Sequence, residues 1–475
     1  MNENQEIKQS LGLLDATMIV VGSMIGSGIF IVSAGILQQL GSSGWMLATW
    51  VLTGLLTLIA ALSYGELSAM FPKAGGQYVY LREAYNPLIA FLYGWTFFTV
   101  IQTGTIAAVG VGFSKFAAYL LPALSEKNYL IGDAESGFKL SVAQLVSIVI
   151  IVFLTFINTK GIQNGKVIQT LFTLAKLVSL FGLLVCGFLF AFDSQVFFTN
   201  FKTPDIIQLA IKSISEDGSR VITETPIQGF QLFTVFAAAM VGAIFSSDAW
   251  NNVTFIAGEI KNPQRNIALS LFFGTLTVTV IYLLMNIMYL GVMPLHDIAF
   301  CESERVAVAA SKVIFGNIGT YIIAIMIMIS TFGCNNGLIL SGARVYAAMA
   351  QDGLFFKKVG EMNEHGVPAN GLWIQCIWAS LLCLTGRYGD LLDYVTFAVL
   401  VFYILTIAGI FILRKKRPDA ERPYKAFAYP VLPALYIVLA GAICIALLIE
   451  KPNFTYPGLG LILLGIPIYY GLLKK

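Results

Sequence analysis

Apolar residues in this chain neither alternate with polar ones nor recur in narrow stripes. They run on almost unbroken through stretches such as 140–158 and 267–292, and stretches of this kind recur along nearly the whole length. Each reaches or approaches the ~20 residues that, at about 1.5 Å of rise per residue, carry a helix across a hydrocarbon layer about 30 Å thick. Hydrocarbon offers no partner for a backbone N–H or C=O, so a spanning segment must close its hydrogen bonds internally. Barrel strands would alternate instead. The pattern predicts an all-α polytopic membrane protein, with spans near 13–40, 44–70, 87–121, 140–158, 165–192, 230–258, 267–292, 313–350, 369–386, 391–413, 429–449 and 456–473. That makes 12 transmembrane helices.

Composition agrees: 57% of residues are apolar and 12% are charged, against about a quarter charged in an average soluble chain. The first residues are polar, and the first apolar run is too long for a signal peptide and lacks a small-residue cleavage site, so the N-terminus is expected to stay inside the cell. Charge gives the orientation. Of the 29 Lys and Arg residues, eighteen fall on the N-terminal side of the spans, among them Lys8, Lys73, Arg82, Lys166, Arg344, the run from Arg414 to Lys425, Lys474 and Lys475. Nine fall on the opposite side, including Lys139, Arg220 and Arg387. Positive charge collects on the cytoplasmic side, so both termini are expected there, in a multi-pass protein of the cell membrane. Six cysteines without a CxxC pair point to no metal site, no cofactor and no disulfide framework. The net charge of +3 is small, with no interleaving of basic and aromatic residues, and nucleic acid is not expected as a partner.

Two basic residues lie within spans. Lys115, near the outer end of the third, can snorkel to the interface. Lys176, in the middle of the fifth, cannot. There a charge costs roughly 3 kcal/mol or more unless it meets a partner or a wet cavity.

Two spans are interrupted. Gly22, Ser23, Gly26, Ser27 and Gly28 break the first, where glycine gives up helix propensity and serine offers competing hydrogen bonds; Gly22 and Gly26 also form a GxxxG packing pair. Ser246, Ser247, Asp248, Asn251 and Asn252 break the sixth, five spans later. Transporters built from two inverted repeats carry a discontinuous helix at the matching place in each half, and the half-helix ends converge on the substrate at the bilayer midplane. An unwound helix exposes free N–H groups at one end and free carbonyls at the other, each end worth about half a charge. A small zwitterion, carrying an α-carboxylate beside an α-ammonium, suits such a pair.

The residues that carry these breaks resemble those of the amino acid–polyamine–organocation (APC) superfamily of permeases, and within it the L-amino-acid transporter branch. The similarity rests on residues 22–30, on 245–255 with the following 258–265, and on 417–425. It implies a leucine-transporter-type 5+5 inverted repeat with broken helices 1 and 6. The whole chain, 1–475, would be one transporter domain, with 13–192 the first repeat, 230–413 the second, and 429–473 two peripheral helices. The implied substrate site comprises Met24, Ile25, Gly26, Ser27 and Gly28 from the first break and Phe245, Ser246, Ser247 and Asp248 from the sixth. Ser27 and Gly28 would donate to the substrate carboxylate, carbonyls of Met24, Phe245 and Asp248 would accept from its ammonium, and the Phe245 ring would close over it. Ser247 stands where an aromatic often follows that gate. Lys176 would replace a coupling sodium ion between the first and eighth helices. Human-type members are tied by a disulfide to a single-span heavy chain through a cysteine in the loop after the third helix. Residues 122–139 contain none, so no such partner is expected.

Alternatives stay open for several residues. The Asp248 carboxylate can cap exposed N–H groups or pair with a basic substrate. Glu259, with Lys261 and Arg265 following, can be an inner-gate or loop-tethering group or a surface ion pair. The stripe from Thr331 to Gly337 can line a pathway or bond neighbouring helices, and Glu66 and Asn286 suit contacts within the bundle. No HExxH, nucleophile elbow or phosphate-cradling loop is present, so no enzyme is expected. A channel or an amino-acid sensor on the same scaffold are the other rivals. The function expected is sodium-independent exchange of small neutral L-amino acids by alternating access, with proton-coupled symport of amino acids or polyamines as the alternative.

Overall fold

Long apolar runs become helices because only a helix satisfies their backbone without water. The computed structural model describes residues 11–132, 140–202, 204–214, 220–385 and 388–473, with the side chains of 162–170, 213–214, 220, 385 and 472–473 left aside. The charge argument at Lys8, Lys139, Arg387, Lys474 and Lys475, and at the side chains of Lys166 and Arg220, lies outside the described residues.

In chain order the helices are α1 Leu13–Met24, α2 Val32–Leu40, α3 Ser43–Met70, α4 Gln77–Ala84, α5 Pro87–Leu120, α6 Val142–Thr159, α7 Ile162–Cys186 and α8 Ser194–Asn200. They continue with α9 Gln231–Ser246, α10 Asn252–Phe255, α11 Pro263–Val292, α12 Leu295–Ala299, α13 Val306–Gln351, α14 Ala369–Thr385, α15 Tyr388–Lys416, α16 Val431–Glu450 and α17 Pro452–Ile468. Among the described residues, nine helices are long and apolar enough to cross a membrane, and α1, α9 and Ala369–Leu384 of α14 are shorter apolar helices. Two of these three are short because the chain leaves the helix at the expected breaks.

The structure departs from the sequence reading in the connections. Two antiparallel hairpins interrupt the all-α picture, Tyr129–Ile131 with Leu140–Ser141 and Ile207–Ile214 with Arg220–Pro226. Short strands of this length leave no signal above the long apolar periodicity. α13 begins earlier than expected and turns at Gly316, whose φ of 71° is open to glycine and costly to other residues.

α11 packs along α3 and α1, α13 along α5 and α7, α14 on α6, and α9 against α2 and α16. The α3–α11 contact is close enough that a methyl on Gly54 would fall 2.2 Å from the Thr279 side chain, so the helices approach where a side chain is missing. Leu189, Phe190, Ile318 and Val438 point outward and are each more than 60% exposed, at 69%, 75%, 75% and 66%, as suits a surface whose solvent is lipid.

Candidate functional site

α1 ends at Met24, Ile25 is extended (φ −77°, ψ 91°), and the chain resumes as one 3-10 turn, Gly28–Phe30, before α2. The Gly26 N–H turns back to the Met24 carbonyl at 2.9 Å. Among the described residues the N–H groups of Ser27, Gly28 and Ile29 have no acceptor, while the carbonyls freed on the other side are all taken. Lys176 Nζ donates to the carbonyls of Gly22 (2.7 Å) and Ile25 (3.0 Å). Cys334 Sγ, on α13, donates to Ser23 O at 3.3 Å, and Ser330 Oγ stands 3.5 Å from Ile25 O. Lys176 is fully buried. Its burial is offset by charge-assisted hydrogen bonds, about twice as strong as neutral ones.

The second break follows α9. Asp248 N–H reaches back to Phe245 O at 3.2 Å, and Ala249 takes a left-handed φ of 62°, a conformation that costs an L-residue roughly 1–2 kcal/mol. The two breaks meet. Tyr282 of α11 puts its hydroxyl 3.1 Å from Met24 O and 3.2 Å from Ser246 O, one donor between a carbonyl of each break. Gly28 lies flat on Ser246, where a Cβ would stand 2.0 Å from Ser246 Oγ and 3.1 Å from Ser246 Cα. Gly26 faces Cys334 Sγ, 3.3 Å from an added Cβ.

On the side of α2, Ser27 Oγ and Tyr388 Oη are 2.9 Å apart, and the Tyr388 ring meets the buried Phe245 ring edge-on at 6.4 Å. Asp248 points elsewhere. Its Oδ1 accepts from the Tyr403 hydroxyl at 2.5 Å, and it lines two small cavities of ≈ 20 Å³ each, one shared with Gln77, Tyr93 and Asn252, the other with Ser247 and Tyr436. Each has room for on the order of one water. Neither is lined by Met24, Ser27 or Gly28. The structure therefore gathers Met24, Ile25, Gly26, Ser27, Gly28, Phe245, Ser246 and Lys176 into one cluster and sets Ser247 and Asp248 at its far edge.

At the opposite end of the bundle, Glu259 accepts from Arg344 Nε (3.0 Å) and Nη2 (2.7 Å), not from Lys261 or Arg265. Leu11 bridges to Glu259 and Lys261 by backbone bonds of 3.0 and 2.8 Å. Glu66, 1% exposed, accepts from Arg414 (2.7 and 3.0 Å) and from Ala426 N–H (2.7 Å), with Arg422 at 3.4 Å. Arg82 pairs with Asp352, which also accepts from Tyr78. Asn286 accepts from Ser33, and Asn336 from Asn158, so the polar residues of these spans bond across helices. Sequence reasoning missed Tyr282, Tyr388, Tyr403 and Arg344. Tyrosines within apolar runs carry no local signal that separates a hydroxyl at a site from one in the packing.

A mostly helical membrane bundle whose two broken helices meet among buried residues, one of them braced by a buried lysine, has the form of a membrane transport protein. The family model described as "Amino acid permease" matches residues 11–471, and the chain belongs to that family. It is 29% identical over its whole length to the serine/threonine exchanger SteT of Bacillus subtilis, covering 99% of that protein. It is 29% identical to the b(0,+)-type amino acid transporter 1 of Mus musculus over 98% of this chain and 88% of the relative. To the large neutral amino acids transporter small subunit 2 of Homo sapiens it is 28% identical, over 98% of this chain and 80% of the relative. The protein is a multi-pass membrane transporter, not an enzyme, and amino acids are the substrate class of its family.

Proposed function

We propose that the chain is a sodium-independent L-amino-acid transporter that works by alternating access, exchanging small neutral amino acids through a site between the two breaks. The observation that carries the reading is Lys176. Its ammonium sits on the Gly22 and Ile25 carbonyls with Cys334 and Ser330 of α13 beside it, supplying the positive charge that a cation between the first and eighth spans would supply. The free N–H groups of residues 27–29 suit a carboxylate, as helix N-termini do. The Met24 carbonyl and the Phe245 ring lie next to them, and the small side chain of Ser246, packed against Gly28, favours a short substrate. The similarity to a serine/threonine exchanger points the same way.

Twelve spans in a 5+5 inverted repeat are part of this reading, with repeats over 13–192 and 230–413 and two peripheral helices over 429–473. Supporting it, the first span contacts the sixth, the second the seventh, the third the eighth and the fourth the ninth, as two-fold related elements near a common axis do. Both termini are placed in the cytoplasm and the protein in the cell membrane, without a disulfide-linked heavy chain. Proton symport is the second reading. It is favoured by the fact that the described partners of Lys176 are carbonyls and not a carboxylate, so the same side chain is a candidate proton carrier. A polyamine substrate is disfavoured by Asp248, which faces Tyr403 rather than Gly28.

The test is uptake of labelled L-serine and L-alanine into proteoliposomes. Sodium is exchanged for choline, internal amino acid is present or absent, and a pH gradient is imposed or not. Saturable, sodium-independent uptake that needs internal amino acid supports exchange. Acceleration by an inward proton gradient into empty vesicles selects symport, and sodium dependence or the failure of every amino acid to enter or compete overturns the proposal.

A further inference from the structure

On the side of the bundle where α5 and α11 end and α15 begins, four residues form a chain that the sequence reading did not join. Glu304, in the connection after α12, holds Lys115 of α5 at 3.2 Å. Lys115 Nζ lies 5.4 Å from the centre of the Tyr388 ring, a cation–π distance. Tyr388 Oη is 2.9 Å from Ser27 Oγ, and its ring edge closes on Phe245. Ser27 is seated by a missing side chain: a Cβ on Gly112 would fall 2.6 Å from Ser27 Oγ. Ser27 is 1% and Tyr388 4% exposed, whereas Glu304 reaches solvent, its side chain 43% exposed. The chain therefore runs from the aqueous face down to the free N–H groups of residues 27–29.

We infer that Tyr388 is the latch of the outer gate: it holds Ser27 while the site is shut and releases it when substrate enters, and the Lys115–Glu304 pair keeps the ring in place. The inference rests on the reading of Ser27 as a carboxylate ligand. The Tyr388 and Phe245 rings meet edge-on above the buried break, so in this latch the Ser27–Tyr388 bond must part before an amino acid enters from this face. A bond made only in the shut state lowers the fraction of molecules able to bind, and apparent affinity falls by that fraction. Tyr388 is thus a positioning residue that acts through Ser27.

Two arms test this. In proteoliposomes, Tyr388→Phe keeps the ring and loses the hydroxyl, and the half-saturation concentration for external serine should fall roughly fivefold, the equivalent of one ordinary hydrogen bond. In a Ser27→Ala background the same substitution should change nothing further. The second arm needs no substrate and reads deuterium uptake of a peptide spanning residues 24–31 in the purified protein. Uptake should rise in Tyr388→Phe and, less strongly, in Glu304→Gln, while a peptide from the middle of α11 stays as in wild type. A half-saturation that rises in Tyr388→Phe would show a hydroxyl that relays a bond to bound carboxylate, and overturns the latch. So does an equal effect with and without Ser27, or exchange that is unchanged or rises in both peptides. Wild-type protein that carries no amino acid would sink the transport reading alone, since the exchange arm still reads the latch.

Discussion

Replacing Gly28 by alanine separates two accounts of why this residue is bare. Read from sequence, the missing side chain lets backbone approach a ligand carboxylate. In the structure the space is filled from within, since the new Cβ would stand 2.0 Å from Ser246 Oγ, 2.7 Å from Ser246 Cβ and 3.1 Å from Ser246 Cα. Optimal contacts between such atoms are ~3.5–4.0 Å. The hydroxyl can turn away, but it then gives up its bond of 2.6 Å to Gly242 O, worth roughly 0.5–1.5 kcal/mol. The Cβ and Cα cannot turn, so the backbone of α9 must move from the turn Gly28–Phe30, and overpacking of that kind costs about 1–3 kcal/mol. The sum, about 1.5–4.5 kcal/mol, should lower the thermal unfolding midpoint of the substrate-free protein, followed by tryptophan fluorescence in detergent. Ser246→Gly removes two of the three close atoms, so Gly28→Ala with Ser246→Gly should recover most of the loss. Gly26→Ala, whose Cβ meets the Cys334 thiol at 3.3 Å and a Val109 methyl at an ordinary 3.9 Å, should cost under ~1 kcal/mol. Wild-type stability in Gly28→Ala, or no recovery in the double variant, would refute the packing account and return Gly28 to a role in ligand approach alone.

Lys176→Met keeps most of the side-chain length and leaves the buried Gly22 carbonyl without a donor and the Ile25 carbonyl with only the Ser330 hydroxyl at 3.5 Å, at about 1–3 kcal/mol for an unsatisfied buried group; serine uptake should fall at least tenfold while the protein stays monodisperse by size exclusion. Glu66→Gln removes the charge facing Arg414 and Arg422, and with Arg414 partly exposed the loss should be about 1–3 kcal/mol of stability by thermal unfolding, with no change in substrate specificity. Arg344→Met unties Glu259 from α13 and should make the segment 252–260 more susceptible to proteolysis from the face that carries it, with unaltered susceptibility meaning that the pair is only a surface contact. The Cys301 thiol, in the connection before α13, is pushed by burial up to about 12 from an ordinary value of 9.0. The thiolate is the reactive form, so its alkylation rate should be very low at pH 8 and still be climbing at pH 10, where an exposed thiol has levelled off. A plateau near pH 9 would show that the thiol is not buried.

By itself the sequence determined everything that depends on what hydrocarbon forbids. Runs such as 267–292 had to be helices because no other structure of that composition satisfies its backbone in lipid, and α11 follows within a few residues. Glycine, serine and amide residues inside two such runs marked where the helix would fail, and the chain leaves the helix at Met24 and Ser246. Lys176 was legible as a residue needing a partner, because a buried charge cannot go unanswered; that its partners are the carbonyls of Gly22 and Ile25 depends on α7 lying beside α1. The rest was decided by packing between residues hundreds of positions apart. Gly28 against Ser246, Ser27 against Tyr388 and Asp248 against Tyr403 are pairings of single atoms across helices. An apolar run signals its depth in the membrane but not which of its faces turns inward when lipid and protein interior are equally apolar, so a tyrosine on such a run reads the same whether its hydroxyl holds a site or only fills space. The short hairpins and the choice of Arg344 over Lys261 and Arg265 as the partner of Glu259 were settled in the same way, by which segments the helix packing brings together at the ends of the bundle.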